Sequence, residues 1–493
     1  ETDEGDKAIL LLIPVSNYAE FVTNFTGVKA DGAVSEVTVA GDDAPSFVSD
    51  WGGYAALSPL KNLVAKPAGA LKVAGTAARQ AQQQDFLIYT NFAKLGPDLL
   101  PELEKGMNEA LGEIDKPGNN GLEAKYKPLA KTTLNQFFGI ARTFLKETDA
   151  ATIGINIADA GINASVVADF KDGSYLGKLA GGLKGTDKPL TLGLPKLRYL
   201  AYGGATLDAK TTGQVFDDLT GPVIAELGKI EGQDDAKQLA ANIKAAIGAN
   251  TGFAQGLVAP TKIGDDAFLQ QIAVYRGGGK EFAAAMDSTG TFAKTMLAGV
   301  QHKEGQPKPS VTATPNARTI DGVAFNSLQF DMEQPKDSPQ AMQVERMMTI
   351  FYGAQGNSIS YAAVGNDLIM GNAAKDETIS ALLKSSKANE NNLAKLEQVM
   401  AVTAELPKSR VYEFYVALDE IINAGVAVAG EFGFPLQMQL PPELPPLGMT
   451  LGAEGNAFRF DLHLPRSTVQ SIIAAGMQAA MQMQGGGGGG GAM

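Results

Sequence analysis

MTLGAEGNAFRFDLHLPRSTVQSIIAAGMQAAMQM, residues 449–483, sets a strand, a stop and a helix in direct succession. Phe458, Phe460, Leu462 and Leu464 alternate with Arg459, Asp461 and His463, the two-residue period of a half-buried strand. Pro465 ends that run, and Ser467 is placed to cap a helix carrying Val469, Ile472 and Ile473. The stretch TIGINIADAGINASVVADFKDGSYLGKLAGG, from Thr152, is an echo of it. There Ala164, Val166, Ala168 and Phe170 alternate, Ser174 caps, and Leu176 and Leu179 follow. Asn163 and Asn456 are 293 residues apart, as are Ser174 and Ser467.

Two further echoes keep the same order. Tyr54-Ala55-Ala56-Leu57 matches Tyr361-Ala362-Ala363-Val364. Phe86, Ile88, Tyr89, Phe92 and Leu95 match Tyr412, Phe414, Tyr415, Leu418 and Ile421. The spacing predicts an α+β protein built by tandem duplication, each half an antiparallel sheet packed on helices. The first repeat is expected over 1–188, with a helical insertion at about 97–147 opened by Pro97 and Pro101. The second is expected over 189–475, followed by a Met/Gln helix end and poly-Gly tail over 476–493. The polar, proline-punctuated 303–315 reads as a loop, 376–402 as one helix, and the five-proline 434–446 as extended chain.

Composition narrows the function. With 44% hydrophobic and 19% charged residues the chain has the balance of a globular protein. A formal charge of −13 disfavours a nucleic-acid backbone or an anionic membrane surface as partner. The longest strongly apolar run, 8–15, is far short of a membrane span. There are no cysteines, so disulfides and thiolate chemistry are excluded. Zero cysteine, an acidic balance, abundant Gly, Ala, Asn and Gln, and an opening ETDEGD that reads as a mature N-terminus lead us to expect an exported bacterial protein.

Catalytic motifs are missing: no GxSxG, no HExxH and no EF-hand loop. The two histidines, His302 and His463, cannot assemble a histidine metal site, and both read as solvated residues. Gly173–Lys178 is one residue short of a P-loop, and Arg276-Gly277-Gly278-Gly279-Lys280 reads as a strand-to-helix turn rather than a phosphate cradle. Acidic pairs at Asp42-Asp43, Asp217-Asp218, Asp234-Asp235 and Asp265-Asp266 fit helix caps; Asp265, Asp266, Asp42 and Asp43 are the candidates for calcium. The sequons at Asn24 and Asn163 matter only in a glycosylating pathway. Met342, Met347 and Met348 lie on one predicted helix, and Met477, Met481 and Met483 on the last, uncharged one, where they offer a soft contact surface.

The YAAL and FLIYTNF segments and the ending GNAFRFDLHLPRSTVQSIIAAGMQAAMQMQ resemble exported proteins of planctomycete-type bacteria. The resemblance covers most of the chain. It implies export and a non-catalytic role, and assigns no functional residue.

Three functions follow as expectations. One is a secreted structural or interaction protein, a self-associating cell-surface or fibre subunit whose contact runs through Met477, Met481 and Met483. The alternative is a carrier of an apolar ligand such as lipid, lined by Phe86, Tyr89, Tyr412 and Tyr415. The last is a hydrolase using the acidic pair Asp265 and Asp266.

Overall fold

The computed structural model of the protein describes residues 10–39, 44–65, 80, 84–116, 124–230, 232–298, 308–333, 339–390, 392–434 and 438–485. It is an α+β protein of antiparallel strands and helices, in two compact units. The first unit comprises Glu1–Lys105, Ile140–Gly181 and Ala453–Leu462; the second comprises Gly106–Gly139, Gly182–Gly452 and His463–Met493.

In the first unit, β1 (Leu11–Pro14), β2 (Thr26–Asp31), β3 (Val34–Thr38), β4 (Pro45–Asp50), β5 (Tyr54–Ser58), β6 (Phe86–Asn91), β7 (Thr148–Ala158) and β8 (Gly161–Phe170) form an antiparallel sheet. Its order is β2-β3-β4-β5-β1-β6-β7-β8. The returning strand β18 (Ala457–Pro465) adds to β8. Helix α1 (Tyr18–Val22) starts where the Asn17 side chain accepts from the Glu20 amide at 3.2 Å, and buries Tyr18, Phe21 and Val22 against Val37, Val48, Ala55 and Leu57. After α2 (Lys61–Val64), the Val64 carbonyl accepts from Trp51 Nε1 at 3.0 Å and Ser49 Oγ at 2.6 Å, which joins this helix to β4. The helical insertion is α3 (Phe92–Asp115) and α4 (Lys127–Glu147); α5 is Tyr175–Gly182. The roots of α3 and α4 sit in a chain of edge-on rings, Phe92–Phe144–Phe170–Phe458, with centroids 5.5, 6.3 and 5.2 Å apart. Pro97 and Pro101 do not open α3. They lie inside it, because Asn91 Oδ1 caps the Lys94 amide and starts the helix earlier.

The strand alternation places the faces differently from expectation. Ile153 and Val166 are exposed, whereas Thr152, Ser165 and Val167 are buried. The physical reason is local: Ser165 Oγ donates to Gln80 Oε1 at 2.8 Å, and the Gln84 side chain lies so close to Gly154 that a Cβ there would meet it at 2.6 Å. On β18, Asp461 and His463 are buried while Phe458, Phe460, Leu462 and Leu464 are only half-buried. Arg459 neutralises Asp461 with a fork of bonds at 2.8 Å, which makes burial of that face tolerable.

The second unit holds β9 (Tyr199–Thr206), β10 (Gly252–Val258), β11 (Gln271–Arg276), β12 (Lys308–Ile320), β13 (Val323–Glu333), β14 (Ser358–Val364), β15 (Asp367–Asn372), β16 (Tyr412–Val416) and β17 (Leu447–Glu454). The antiparallel order is β17-β16-β9-β10-β11-β15-β14-β13-β12. Its helices are α6 (Ala209–Leu227), α7 (Asp234–Ala249), α8 (Gly279–Ala298), α9 (Pro339–Tyr352), α10 (Asp376–Lys387), α11 (Glu397–Glu405), α12 (Leu418–Glu431) and α13 (Arg466–Gly485). Helices α10 and α11 cover one face of the sheet with Ile379, Leu382, Leu383, Val399 and Val402. On the other face Phe282 and Met286 of α8 pack on Tyr275, Leu328 and Tyr361.

Three local expectations are corrected here. Most of the expected loop 303–315 is strand β12. As an edge strand paired only to β13 it tolerates Pro309 and Pro315, and its register shifts between Thr314 and Arg318, where Asn316 takes a left-handed φ of 49°. The single helix expected over 376–402 is two, since Asn389 turns left-handed (φ 53°) just past α10. Ser467 lies within the first turn of α13 instead of capping it, whereas Ser174 does cap α5, accepting from the Gly177 amide at 3.0 Å. Residues 434 and 438–446 are irregular chain, as the prolines dictate.

Candidate functional site

Among the described residues a concave site lies in the second unit, and a glycine of β9 lets the chain leading to it cross the sheet. Strand β9 reads Tyr199-Leu-Ala-Tyr-Gly-Gly-Ala-Thr206, and Gly204 faces Glu413 of β16. A Cβ on Gly204 would stand 2.1 Å from the Leu190 carbonyl oxygen, so only glycine lets the incoming chain cross the sheet at that point. The crossing brings the Leu190 and Thr191 amides to Glu413 Oε1 at 2.5 and 3.2 Å. Glu413 is 1% exposed among aromatic neighbours. Burial pushes its pKa up, against the opposing pull of Arg410, whose Nε stands 2.7 Å from Oε2. This clasp fixes the crossing segment, and with it Lys196, Leu197, Arg198 and Tyr199.

Residues 196–199 border a cavity of about 690 Å³. Its apolar lining includes Leu197, Tyr199, Tyr202, Val258, Leu393, Leu396 and Leu444. Tyr202 stacks on Tyr415 at 5.2 Å and 24°, Tyr415 bonds Thr403 at 2.9 Å, and Tyr199 donates to the Pro195 carbonyl at 2.9 Å, so the aromatic floor is rigid. The proline-rich strap 438–446 forms another side. It is fastened by reciprocal bonds between Asn423 of α12 and the Leu440 backbone, at 3.0 and 3.1 Å.

Charged groups line the same cavity. Arg198 forks onto Glu420 at 2.7 and 2.5 Å. Asp266 accepts from Lys375, from the Thr261 hydroxyl, and from the Thr261 and Lys262 amides at 2.8 and 3.1 Å. Burial alone would raise the Asp266 carboxyl, but these donors together hold it well below the usual carboxylate range. Asp419, in the first turn of α12, is different. It is 2% exposed, Oδ2 accepts from the Leu444 amide at 3.3 Å, and the Glu420 amide and the Arg198 guanidinium also act on the carboxylate. Burial pushes its pKa up, with the backbone amides around it opposing the shift only in part. The cavity thus combines an apolar floor, two neutralised ion pairs and one buried carboxylate held by backbone amides. That pattern suits binding.

Of the residues singled out in the sequence, Asp266 alone lines this cavity. Both its oxygens are engaged by donors, and the adjacent Asp265 turns away to Lys262 at 2.6 Å. Asp42, Asp43 and His302 lie outside the described residues. Among the described residues no group of three or more His, Cys, Asp or Glu is arranged to hold a metal. His463 is buried, not solvated; its burial lowers the imidazole pKa, with the Glu405 carboxylate in opposition. The Gly277 amide bonds the Asp367 carboxylate at 3.1 Å, and a Cβ on Gly279 would strike the Asp367 backbone, so the Gly277–Gly279 turn is filled by its own chain.

Of the four aromatics expected around an apolar ligand, the two on β16 face opposite sides of the sheet. Tyr412 stacks on Phe414 at 6.1 Å, while Tyr415, three residues on, points to the opposite face of the sheet and into the core. Phe86 and Tyr89 belong to β6 of the first unit. Ile473 and Met477, one helical turn apart on α13, are 55% and 53% exposed; the side chains of Met481 and Met483 lie outside the described residues. Sequence reasoning missed Asp419, Glu413 and Tyr202. The signal was present for Glu413, an acid between Tyr412 and Phe414 in an apolar strand, whereas Asp419-Glu420 at a helix start reads as ordinary dipole pairing. Among the described residues no helix is long and apolar enough to cross a membrane. Comparison with protein-family models, with curated proteins and with solved structures finds no match for this chain.

Proposed function

We propose that the protein is a non-catalytic binding protein whose second unit holds a small amphipathic molecule. The observation that carries this reading is the 690 Å³ cavity, of ordinary ligand size, with a rigid aromatic and leucine lining. Export, expected from composition, belongs to the same proposal. The test is mass spectrometry of natively purified protein, before and after denaturation. A stoichiometric small molecule released on denaturation is the expected result; protein that is empty from every preparation, with no uptake of added amphiphiles, counts against it.

Two observations support companion readings. The connection β1–β5–β4–β3–β2 recurs as β11–β15–β14–β13–β12, and β6 stands beside β7 as β16 stands beside β17. This supports descent by tandem duplication, with β9 and β10 intercalated between β11 and β16 in the second copy. The Tyr54–Leu57 echo does not share that correspondence, because Tyr361–Val364 sits on β14, the counterpart of β4 rather than β5. The exposed Ile473 and Met477, on a helix with no charge after Arg466, favour self-association as a second reading. In a chain of net charge −13, an uncharged face is where two copies meet with least repulsion.

A further inference from the structure

Building on the ligand-binding reading, we infer that the second-unit cavity takes an uncharged molecule, an apolar body bearing a hydroxyl or amide group that Tyr202 and Gln270 recognise. The polar lining makes the choice. Apart from Lys196 and Glu443, which are exposed, its charges are already matched. Arg198 forks onto Glu420, Lys375 holds Asp266, and backbone amides and the Arg198 guanidinium act on Asp419. The neutral groups are not matched in this way. Tyr202 is 6% exposed, and its hydroxyl makes no hydrogen bond among the described residues. Gln270 is 4% exposed; Nε2 donates to Thr378 Oγ1 at 2.8 Å, which orients the amide and leaves Oε1 without a donor among the described residues.

Both groups project from one face of the sheet. Tyr202 of β9 pairs with Gly256 of β10, and Gly256 pairs with Ile272 of β11. Gln270, two residues before Ile272, continues the ladder, since its carbonyl accepts from the Val258 amide at 2.7 Å. Residues two apart on a strand share a face, and Ile272 packs in the same core as Tyr202, Leu393 and Leu396. Each ligand class meets this lining differently. A charged group would have to break an ion pair or shed its hydration with no counter-charge to receive it. A pure hydrocarbon would fill the space and leave the Tyr202 hydroxyl and Gln270 Oε1 unsatisfied. A hydroxyl or amide supplies an acceptor and a donor, the two partners these groups lack. Burial pushes the Tyr202 pKa up, so the phenol stays protonated as the donor.

Isothermal titration of the full chain with octanol, octylammonium and octanoate, three probes sharing one tail, tests the assignment. Octanol is expected to bind one-to-one, and both charged probes more weakly by about tenfold or more. Tyr202→Phe and Gln270→Met each remove one polar group with little change in volume. At least one of them should weaken octanol by about three- to tenfold, the net worth of one neutral hydrogen bond. A charged probe that binds as well as octanol, or an octanol affinity indifferent to both substitutions, would overturn the assignment while leaving the cavity a binding site. No binding of any probe would remove the binding reading too. Should either variant fail to fold, the other variant and the ranking of the three probes decide the matter.

Discussion

Glu413→Gln is the most informative perturbation of the scaffold behind the cavity. Glutamine keeps the shape of the side chain, and its carbonyl oxygen can still accept from the Leu190 and Thr191 amides. What it removes is the charge facing Arg410. The Arg410 and Glu413 side chains are 4% and 1% exposed, so the variant leaves a buried guanidinium whose remaining bond is a 3.3 Å contact from Nη1 to the Pro407 carbonyl. Breaking a buried pair from one side costs about 3–5 kcal/mol, because the surviving charge stays desolvated. Urea unfolding followed by circular dichroism should show that loss. The Leu190 and Thr191 amides should lose about a hundredfold or more in hydrogen-exchange protection, the equivalent of about 3 kcal/mol. A loss below about 1 kcal/mol, with both amides still protected, would show that the clasp does not hold the crossing segment.

Other perturbations read out separate parts of the molecule. Asp266 is held below its ordinary pKa, so its contribution is present above the unfolded value of about 3.9 and is lost as pH falls through the folded one. Asp266→Asn should thus cost about 1.5–3 kcal/mol at neutral pH, with the gap to the unaltered protein closing in acid, as pH-resolved denaturation would show. His463 has its pKa lowered, so folding stability should decline as pH drops below about 6.5, the unfolded value, and His463→Gln should flatten that decline. If α13 mediates self-association, Met477→Lys should convert assemblies to monomers in light scattering without changing the melting temperature; unchanged particle size would exclude that face.

The sequence was most legible where local chemistry and tertiary environment agree. The α+β class, the β7–β8 hairpin, the Ser174 cap and the helical character of the insertion all follow from period and punctuation. It misled where side chains cover the polar face of a strand: Phe458, Leu462 and Val166 alternate as an inward set should, yet Gln80, Gln84 and the Arg459–Asp461 pair bury the polar positions instead. Strand β12 was hidden because proline is disfavoured in sheets except at an edge, and edge position is a property of topology, not of composition. The cavity was the least legible feature. Its lining comes from 196–202, 258–270, 375–398, 417–420 and 443–446, and no local pattern announces that five distant segments converge. Asp266 was visible as half of an acidic pair, but its engagement by Lys375 depends on a contact 109 residues away.

The most direct test of ligand binding is equilibrium titration with a solvatochromic apolar dye, on the unaltered protein and on Leu396→Trp, whose larger ring intrudes on the cavity. Saturable one-to-one uptake with a blue-shifted emission, lost in a folded Leu396→Trp variant, is the predicted result. Uptake with an affinity unchanged by Leu396→Trp, or none in the unaltered chain, would contradict it and show that the second-unit cavity is not a ligand site.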